Sequence, residues 1–153
     1  LTCVKAGEVD GAVICGMGGP LMVRILQTSY AVWQSLKFVV LQPQSDAGAL
    51  RRYLYEHGWH IEDERLVIDD GRLYELMRAV PGQAGALPDW IYDIGPVNWQ
   101  RRDPLLSRKI DILMETKGHI LEGLKKSRKD VHERMEKIES ELRFWRELKW
   151  QLQ

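Results

Sequence analysis

The stretch AVICGMGG at residues 12–19 decides the fold. Its first four residues form a continuous apolar run, which is typical of a strand covered on both faces of a parallel sheet. Gly16, Gly18 and Gly19 then remove side chains where the chain has to turn, and Pro20 suits the first turn of a helix. A strand, a glycine corner and a helix together place ligands at the carboxyl ends of parallel strands. A tight turn without a ligand is the alternative, because glycine clusters of this kind are weak signals.

The length and composition of the chain indicate which classes of protein it can belong to. The 153 residues suffice for one domain, or for a small domain with an appendage, and 44% of them are apolar. The longest apolar run is much shorter than the roughly 20 residues of a membrane span. Cys3 and Cys15 lack metal-type spacing, so we expect a reduced, cytoplasmic protein in which Cys15 is a small buried hydrophobe. Because the chain starts at Leu1 without a methionine, we also expect it to be a fragment of a longer protein.

Two helices and a second strand are predicted after the glycine corner. The first helix should reach about residue 30 or 36 and turn an apolar face to the sheet. Residues 38–41 form a second fully apolar strand, which should stop at Gln42 and Pro43. Ser45 or Asp46 is expected to cap the next helix, which ends at His57 and a C-cap glycine. The residues of the first helix that we expect to face the sheet are Leu21, Ile25, Val32 and Leu36.

An antiparallel strand pair should complete the first domain. Apolar and polar residues alternate in part over residues 59–68, which is typical of a strand, and residues 73–80 are expected to form the second strand of the pair. Asp70-Gly71 between them is a strong hairpin signal. The sequence therefore predicts an α/β domain over residues 1–100, with two parallel strands followed by a β-hairpin.

Residues 101–153 show a different pattern and should form a helical domain. Apolar residues recur there with the alternating spacing of four and three that marks a coiled-coil seam. Ser127 and Asp130 match a capping box, so we expect a new helix to start there and an antiparallel helical hairpin to result. A single bent helix is the alternative. The seam residues are Leu106, Ile110, Leu113, Ile120 and Leu124, then Val131, Met135, Ile138, Leu142 and Trp145.

Charge is divided unevenly between these two parts. The chain is neutral overall, but residues 1–100 hold eight basic against twelve acidic side chains, and residues 101–153 hold fourteen against ten. A basic C-terminal part permits contact with nucleic acid. A solvated helical face of mixed charge explains the same numbers.

The candidate chemistry lies at the two predicted strand ends. No acid–base pair stands out, because the acidic clusters at residues 62–64 and 69–70 are of the kind that is usually solvated. The histidines lack the spacing of metal ligands. Backbone amides at the glycine corner can donate to a ligand, and the side chains of Gln42 and Gln44 can both donate and accept, which suits the edge of a nucleobase. Capping of local backbone by these side chains is an equally open interpretation.

Residues 9–104 resemble the TrmK-type tRNA methyltransferases. The resemblance rests on five segments, which are, in chain order, AVICGMGG, FVVLQPQ, HGW, DGRLYELM and a later IGP. The resemblance implies a Rossmann-like class I methyltransferase sheet, a C-terminal coiled coil, and S-adenosylmethionine as the cofactor. It also implies methylation of N1 of adenine 22 in tRNA. Gln44 stands where the family commonly has Asn. The family's first glycine motif and its ribose-binding acidic residue precede this chain, so we expect only half of the cofactor site and no first three strands.

The resemblance also implies particular site residues. The target base would lie near the segment Gly16, Met17, Gly18 and Gly19. Cofactor contacts would come from Cys15, Gly16, Met17, Gly19, Gln42 and Pro43. Contacts to RNA would come from Arg101, Arg102, Lys125, Lys126, Arg128 and Lys129.

Two other classes stay open. One is a non-enzymatic interaction or RNA-binding protein on a methyltransferase-like fold, which could form a homo-oligomer through an apolar surface at Trp145, Leu148 and Trp150. The other is a nucleotide-binding oxidoreductase, which is less favoured because the glycine corner lacks the GxGxxG pattern. No metal and no membrane partner is expected.

Overall fold

The computed structural model describes residues 1–127 and 130–152. It divides into two compact units, Leu1–Asp103 and Pro104–Gln153. The first unit contains, in order, β1 (Gly11–Met17), α1 (Gly19–Thr28), α2 (Tyr30–Ser35), β2 (Phe38–Pro43), α3 (Ala47–Glu56), β3 (Trp59–Asp69), β4 (Arg72–Pro81), α4 (Asp89–Ile94) and α5 (Pro96–Gln100). The second unit contains α6 (Leu106–Lys125) and α7 (His132–Trp150).

The four strands form one mixed sheet in the order β1-β2-β4-β3. β1 and β2 are parallel, whereas β4 runs antiparallel to both β2 and β3. β3 and β4 meet at the turn that the sequence predicts, where Asp70 and Gly71 both have positive φ angles of 45° and 73°. Positive φ at both central residues defines the type I′ turn of a tight hairpin.

One face of the sheet carries the core of the first unit. Ile14 is 7% exposed, and Leu41 and Met77 on neighbouring strands are 0% and 1% exposed. Val13 lies on the other face and is 68% exposed, and Cys15 on that face is also exposed. The predictions that residues 12–15 are covered on both faces and that Cys15 is buried are therefore wrong. The reason is that α1 and α3 pack against the Ile14 face, where Met22, Leu26 and Leu50 share one core cluster with Ile14.

The predicted first helix is interrupted. α1 ends at Thr28, and Ser29, with φ −114° and ψ 37°, separates it from α2. Met22 and Leu26, four residues apart, are fully buried, whereas Leu21 is 46% exposed. The prediction that Leu21 faces the sheet is wrong because the helix begins at Gly19 and turns the Met22–Leu26 stripe inward. Val32 and Leu36 are buried, as the sequence predicts.

The start of α3 also differs in detail from the sequence prediction. Asp46 is the N-cap residue, but it has φ 51°, and its side chain makes no capping hydrogen bond within the described chain. At the other end, His57 is the C-cap and its Nδ1 lies 2.7 Å from the carbonyl oxygen of Tyr53. The expected position of His57 at the helix C-terminus is confirmed.

In the second unit, α6 and α7 pack along a seam around Leu121, Ile138 and Leu142. Lys117 Nζ donates to Glu141 Oε2 at 2.5 Å, and Lys149 Nζ donates to Asp111 Oδ1. Asp111, which precedes Lys117 in α6, thus pairs with Lys149, which follows Glu141 in α7, so the two helices run antiparallel.

Of the predicted seam residues of α6, Leu106 and Ile110 are buried and Leu124 packs in the seam, but the prediction is wrong for Ile120. Ile120 is 41% exposed, whereas Leu121 is buried and Met114 and Leu124 pack beside it. Lys117 continues the spacing of four and three in this observed seam, and its pairing with the opposite helix explains how a lysine is accommodated there.

The start and the end of α7 correct two further predictions. The helix begins at His132 and its N-cap residue is Val131, so Ser127 is not its cap. Asp130 Oδ1 accepts a hydrogen bond from the backbone N–H of His132 at 3.2 Å. Trp145 and Leu148 are 2% and 6% exposed, and only Trp150, at 77%, is open to solvent. The predicted apolar partner surface is therefore reduced to one exposed tryptophan.

Candidate functional site

The carboxyl ends of β1 and β2 meet at the glycine corner. The register of the two strands pairs Cys15 with Gln42 and then Met17 with Pro43, so Gly16 is an extra residue in β1. Such a bulge bends the strand and removes one residue from the regular ladder. Gly16 has φ 77°, a conformation that favours glycine.

Backbone hydrogen bonds join this corner to the loop after β2. The N–H of Gln44 donates to the carbonyl oxygen of Met17 at 2.9 Å, and the N–H of Gly19 donates to the carbonyl oxygen of Ser45 at 2.8 Å. Both strand ends are therefore held as one surface, and the shape of that surface depends on main-chain atoms.

Gly16 and Gly19 serve this surface for different reasons. A Cβ on Gly19 would lie 2.5 Å from the carbonyl oxygen of Asp46 and 2.9 Å from that of Ser45, so close packing of backbone requires glycine there. Apart from its two neighbours in the chain, a Cβ on Gly16 would meet no atom of the described residues within 4 Å. Gly16 is thus required by its backbone conformation, and the space beside it is open to a ligand.

Gln42 contributes a side-chain contact to the corner. Its Oε1 accepts a hydrogen bond from the N–H of Gly16 at 2.9 Å. This is the local backbone contact that the sequence left open as an alternative to ligand binding. Gln44 is exposed at the same edge.

The structure brings the six candidate cofactor residues together at this edge. Cys15, Gly16 and Met17 are exposed, Gln42 is half-buried, and Gly19 and Pro43 are buried beneath them. A ligand could therefore reach Cys15, Gly16, Met17 and Gln42 more readily than the buried Gly19 and Pro43.

The candidate RNA-binding residues are distributed over both units. In the first unit, Arg101 donates to Asp63 Oδ1, and Arg102 is exposed with φ 50°. Slight burial opposes ionisation of Asp63, but its hydrogen bond and charge interaction with Arg101 outweigh that effect and lower its pKa. Arg101 is therefore already engaged within its own unit.

In the second unit, Lys125 donates to Glu122 Oε1 at 2.8 Å, and this hydrogen bond raises the pKa of the exposed lysine. Lys126 is the C-cap of α6 and is exposed. Arg128 and Lys129 lie outside the described residues. The structure thus presents two basic side chains at the end of α6.

The sequence reasoning missed a buried ion network in the first unit. Arg51 on α3 is 0% exposed, and its Nε donates to Glu64 Oε2 at 3.0 Å while its Nη2 donates to Glu75 Oε2 at 2.8 Å. Its Nη1 donates to the carbonyl oxygen of Tyr92 at 2.9 Å. Burial alone would lower the pKa of Arg51, but the charges of Glu75 and Glu64 outweigh it and raise that pKa.

Glu64 also holds the start of α5. Its Oε1 accepts from the N–H groups of Val97 and Asn98 at 2.7 and 3.0 Å. A Cβ on Gly95 would overlap the Glu64 carboxylate, which explains the glycine that precedes this helix. The expectation that residues 62–64 are all solvated is wrong for Glu64, because this carboxylate neutralises Arg51 and caps α5. The apolar neighbours of Arg51 on α3, Leu50 and Leu54, were the available signal that this arginine is buried.

Two features are absent from the described part of the chain, residues 1–127 and 130–152. No helix there is long and apolar enough to cross a membrane. No group of three or more histidine, cysteine, aspartate and glutamate side chains there could hold a metal ion.

A mixed sheet with a glycine corner at the carboxyl ends of two parallel strands is a Rossmann-like α/β arrangement. A family model described as "Methyltransferase domain" matches residues 1–77, which is just over half of the chain. The chain belongs to this methyltransferase-domain family.

Several of the similar proteins are described as tRNA methyltransferases. The chain is 34% identical over 91 residues to the tRNA (adenine(22)-N(1))-methyltransferase of Bacillus subtilis, a match that covers 60% of this chain and 38% of that protein. Its structure resembles the B. subtilis m1A22 tRNA methyltransferase TrmK with a TM-score of 0.78 and 23% identity, covering 94% of this chain and 64% of that one.

A Streptococcus pneumoniae protein solved with S-adenosyl-L-methionine gives a TM-score of 0.79 at 23% identity, covering 95% of this chain and 63% of that one. The chain thus spans less than two thirds of the length of these relatives. The likeness to the two solved structures establishes a Rossmann-like methyltransferase fold.

Proposed function

We propose that this protein serves the S-adenosylmethionine-dependent methylation of N1 of adenine 22 in tRNA. The observation that carries the proposal is the glycine corner, whose exposed residues Cys15, Gly16 and Met17 stand at the carboxyl ends of two parallel strands. Support comes from the match to the curated B. subtilis enzyme of that activity.

The residues at the corner fit a bound S-adenosylmethionine. Gly16 leaves open space where a side chain would otherwise stand, and the backbone of Cys15 and Met17 borders that space. When bound there, the cofactor supplies the methyl group. The corner would hold the edge of the cofactor and orient the target base toward it, which is how an enzyme accelerates a displacement by positioning.

The chemistry of the target atom suits a site without an acid–base pair. N1 of neutral adenine carries a lone pair and no proton, so methylation at that atom requires no base to remove a proton first. The base does have to leave its stack to expose N1. Backbone donors and an amide side chain are enough to orient such a base, and these are the groups that the corner offers.

We also propose that α6 and α7 form an antiparallel coiled coil whose basic end binds tRNA. Lys125 and Lys126 are exposed at the end of α6, and the sequence places Arg128 and Lys129 directly after them. Basic side chains bind phosphates by releasing counterions, so each contact adds to the salt dependence of the affinity. The cytoplasm, where tRNA is modified, is the corresponding location.

The test of the activity is a labelled-methyl transfer assay. The protein is purified from its host and incubated with S-adenosylmethionine and unmodified tRNA, and the modified nucleotide is mapped. Label on N1 of adenine 22 is the expected result. Label on another nucleotide would refute the proposed substrate, and no label with folded protein and several tRNAs would favour the non-enzymatic interaction class.

The RNA surface is tested by reversing two charges. We expect Lys125→Glu with Lys126→Glu to weaken tRNA binding and to reduce the slope of log affinity against log salt by about 2. Lys5→Glu with Lys37→Glu is the matched control, since it makes the same charge change at exposed lysines of the first unit. Equal losses in the two pairs would show that only net charge matters.

A further inference from the structure

The bulge at Gly16 creates a backbone donor that the strand ladder leaves unpaired. In a β-bulge the extra residue has no partner opposite it on the neighbouring strand. The N–H of Gly16 nevertheless has an acceptor, Gln42 Oε1 at 2.9 Å. One side chain of β2 therefore holds the main chain of β1 at the point where β1 turns toward the open surface.

This contact determines which way round the carboxamide of Gln42 lies. A backbone N–H can only donate, so the atom that faces Gly16 has to be the carboxamide oxygen. The Nε2 group is then at the other end, and its contact among the described residues is with the carbonyl oxygen of Pro43 at 3.5 Å, the outer limit of a hydrogen bond. Nε2 carries two hydrogens, so it keeps donor capacity at a half-buried position.

We propose that Gln42 has two coupled roles at this site. Its Oε1 positions Gly16, and the resulting orientation presents Nε2 as a donor to an acceptor nitrogen of an adenine ring bound at the carboxyl ends of β1 and β2. This inference rests on the proposed function. Two adenine rings are in question, that of S-adenosylmethionine and that of the target nucleotide, and both offer the same acceptor chemistry.

Two substitutions separate the two roles. Gln42→Glu keeps an oxygen for the Gly16 N–H but replaces the donor with an acceptor, whereas Gln42→Met removes both at similar volume. Gln34→Glu is the matched control, because it makes the same chemical change at an exposed position on α2.

The positioning role is read from the Gly16 amide itself, in this chain, by NMR chemical shift and hydrogen exchange. We expect Gln42→Met to shift that amide and to speed its exchange about tenfold or more, and Gln42→Glu to leave it close to the parent. An unchanged Gly16 amide in Gln42→Met would overturn the positioning role. This readout does not depend on methyl transfer.

The donor role is read from kinetics of the protein purified from its host. We expect Gln42→Glu to lower kcat/KM about 10-fold to 100-fold, while Gln34→Glu matches the parent. A raised KM for S-adenosylmethionine would identify the ring of the cofactor, and a raised KM for tRNA or a lowered kcat would identify the target base. Parent values of kcat and of both KM constants in Gln42→Glu would overturn the donor role.

Failure of the proposed function is distinguishable from failure of this inference. If the parent protein methylates no tRNA, the proposed function fails, and calorimetric titration with S-adenosylmethionine and with adenosine replaces the kinetic arm. Binding of either ligand that is weakened by Gln42→Glu, and unaffected by Gln34→Glu, would still support the donor role. Binding that Gln42→Glu leaves unchanged, or no binding of either ligand, would overturn it.

Discussion

Replacement of Arg51 by methionine should destabilise the first unit by about 3–5 kcal/mol, the range for removing one partner of a buried ion network. The side chain is 0% exposed, and it makes hydrogen bonds to two carboxylates and to the carbonyl oxygen of Tyr92. Methionine fills much of the volume, so the loss would come from Glu64 and Glu75, which would lose the cation that lies between their carboxylates.

The neighbouring arginine provides the control. Arg52 pairs with Asp89 at 2.9 Å, but the two side chains are 41% and 87% exposed. Solvent screening limits such a pair to about 0–1 kcal/mol. Arg52→Met thus removes the same charge from the same helix, one residue further on. The difference in the free energy of unfolding between the two variants therefore reports the effect of burying the ion network rather than the effect of net charge.

The two variants should also differ in their pH dependence. The raised pKa of Arg51 means that its stabilising charge is fully present below the unfolded-state value and is lost only as the pH rises through the folded-state value, far above neutrality. The parent arginine therefore stays charged between pH 5 and pH 8. In Arg51→Met the two neighbouring carboxylates repel each other without the cation between them, and this repulsion weakens in acid, so the deficit of the variant relative to the parent should shrink as the pH falls.

The assay is urea unfolding at pH 7.5 and pH 5.5, followed by circular dichroism and by tryptophan fluorescence. Hydrogen exchange at Val97 and Asn98 reports separately on the Glu64 contacts to α5. A loss below about 1 kcal/mol in Arg51→Met, or one equal to that of Arg52→Met, would refute the argument that the network is buried and mutually dependent.

Three smaller predictions concern packing, and each is measured as a change in the free energy of unfolding in urea. Ile14→Ala should cost about 2–5 kcal/mol and Val13→Ala less than about 0.5, because only the former side chain is buried, and similar losses would contradict the one-sided sheet. Gly16→Ala should cost about 1–2 kcal/mol because Gly16 has a positive φ. Gly19→Ala should cost about 1–3 kcal/mol and shift the neighbouring backbone, and an unshifted backbone would contradict the close contact at Gly19. Lys117→Met should change stability by less than about 1 kcal/mol, because its carboxylate partner stays hydrated and methionine extends the seam, and a larger loss would mean that the ion pair is structurally required.

Periodicity and turn chemistry allowed most elements of the first unit to be predicted. The apolar run before Gly16, the apolar strand before Pro43 and the Asp70-Gly71 turn each act locally, so each is visible in a short window of sequence. Which face of a strand is buried, in contrast, depends on elements that are distant in the sequence. Val13 and Ile14 are both branched and apolar, and only the packing of α1 and α3 distinguishes them.

The buried charges illustrate the same limit. Glu62, Asp63 and Glu64 are consecutive, and nothing in their sequence shows that the third one neutralises Arg51 and caps α5. That role depends on a bulge in β3 between Ile61 and Asp63, which alters the register with β4. Likewise, α6 departs from the predicted apolar spacing where Leu121, rather than Ile120, packs against α7.

The glycine corner was detectable for a reason that also explains what it does. Its shape is set by main-chain bonds, from Gln44 to Met17 and from Gly19 to Ser45, together with one amide side chain. A surface built from main-chain atoms restricts the residue type only where a side chain would collide or where φ is positive. Glycines, rather than acid–base residues, therefore mark this site in the sequence. A reaction governed by the placement of two bound groups needs a rigid surface more than it needs a proton donor or acceptor. The backbone hydrogen bonds of the corner thus support the proposed function, in which a base and a cofactor are held in line.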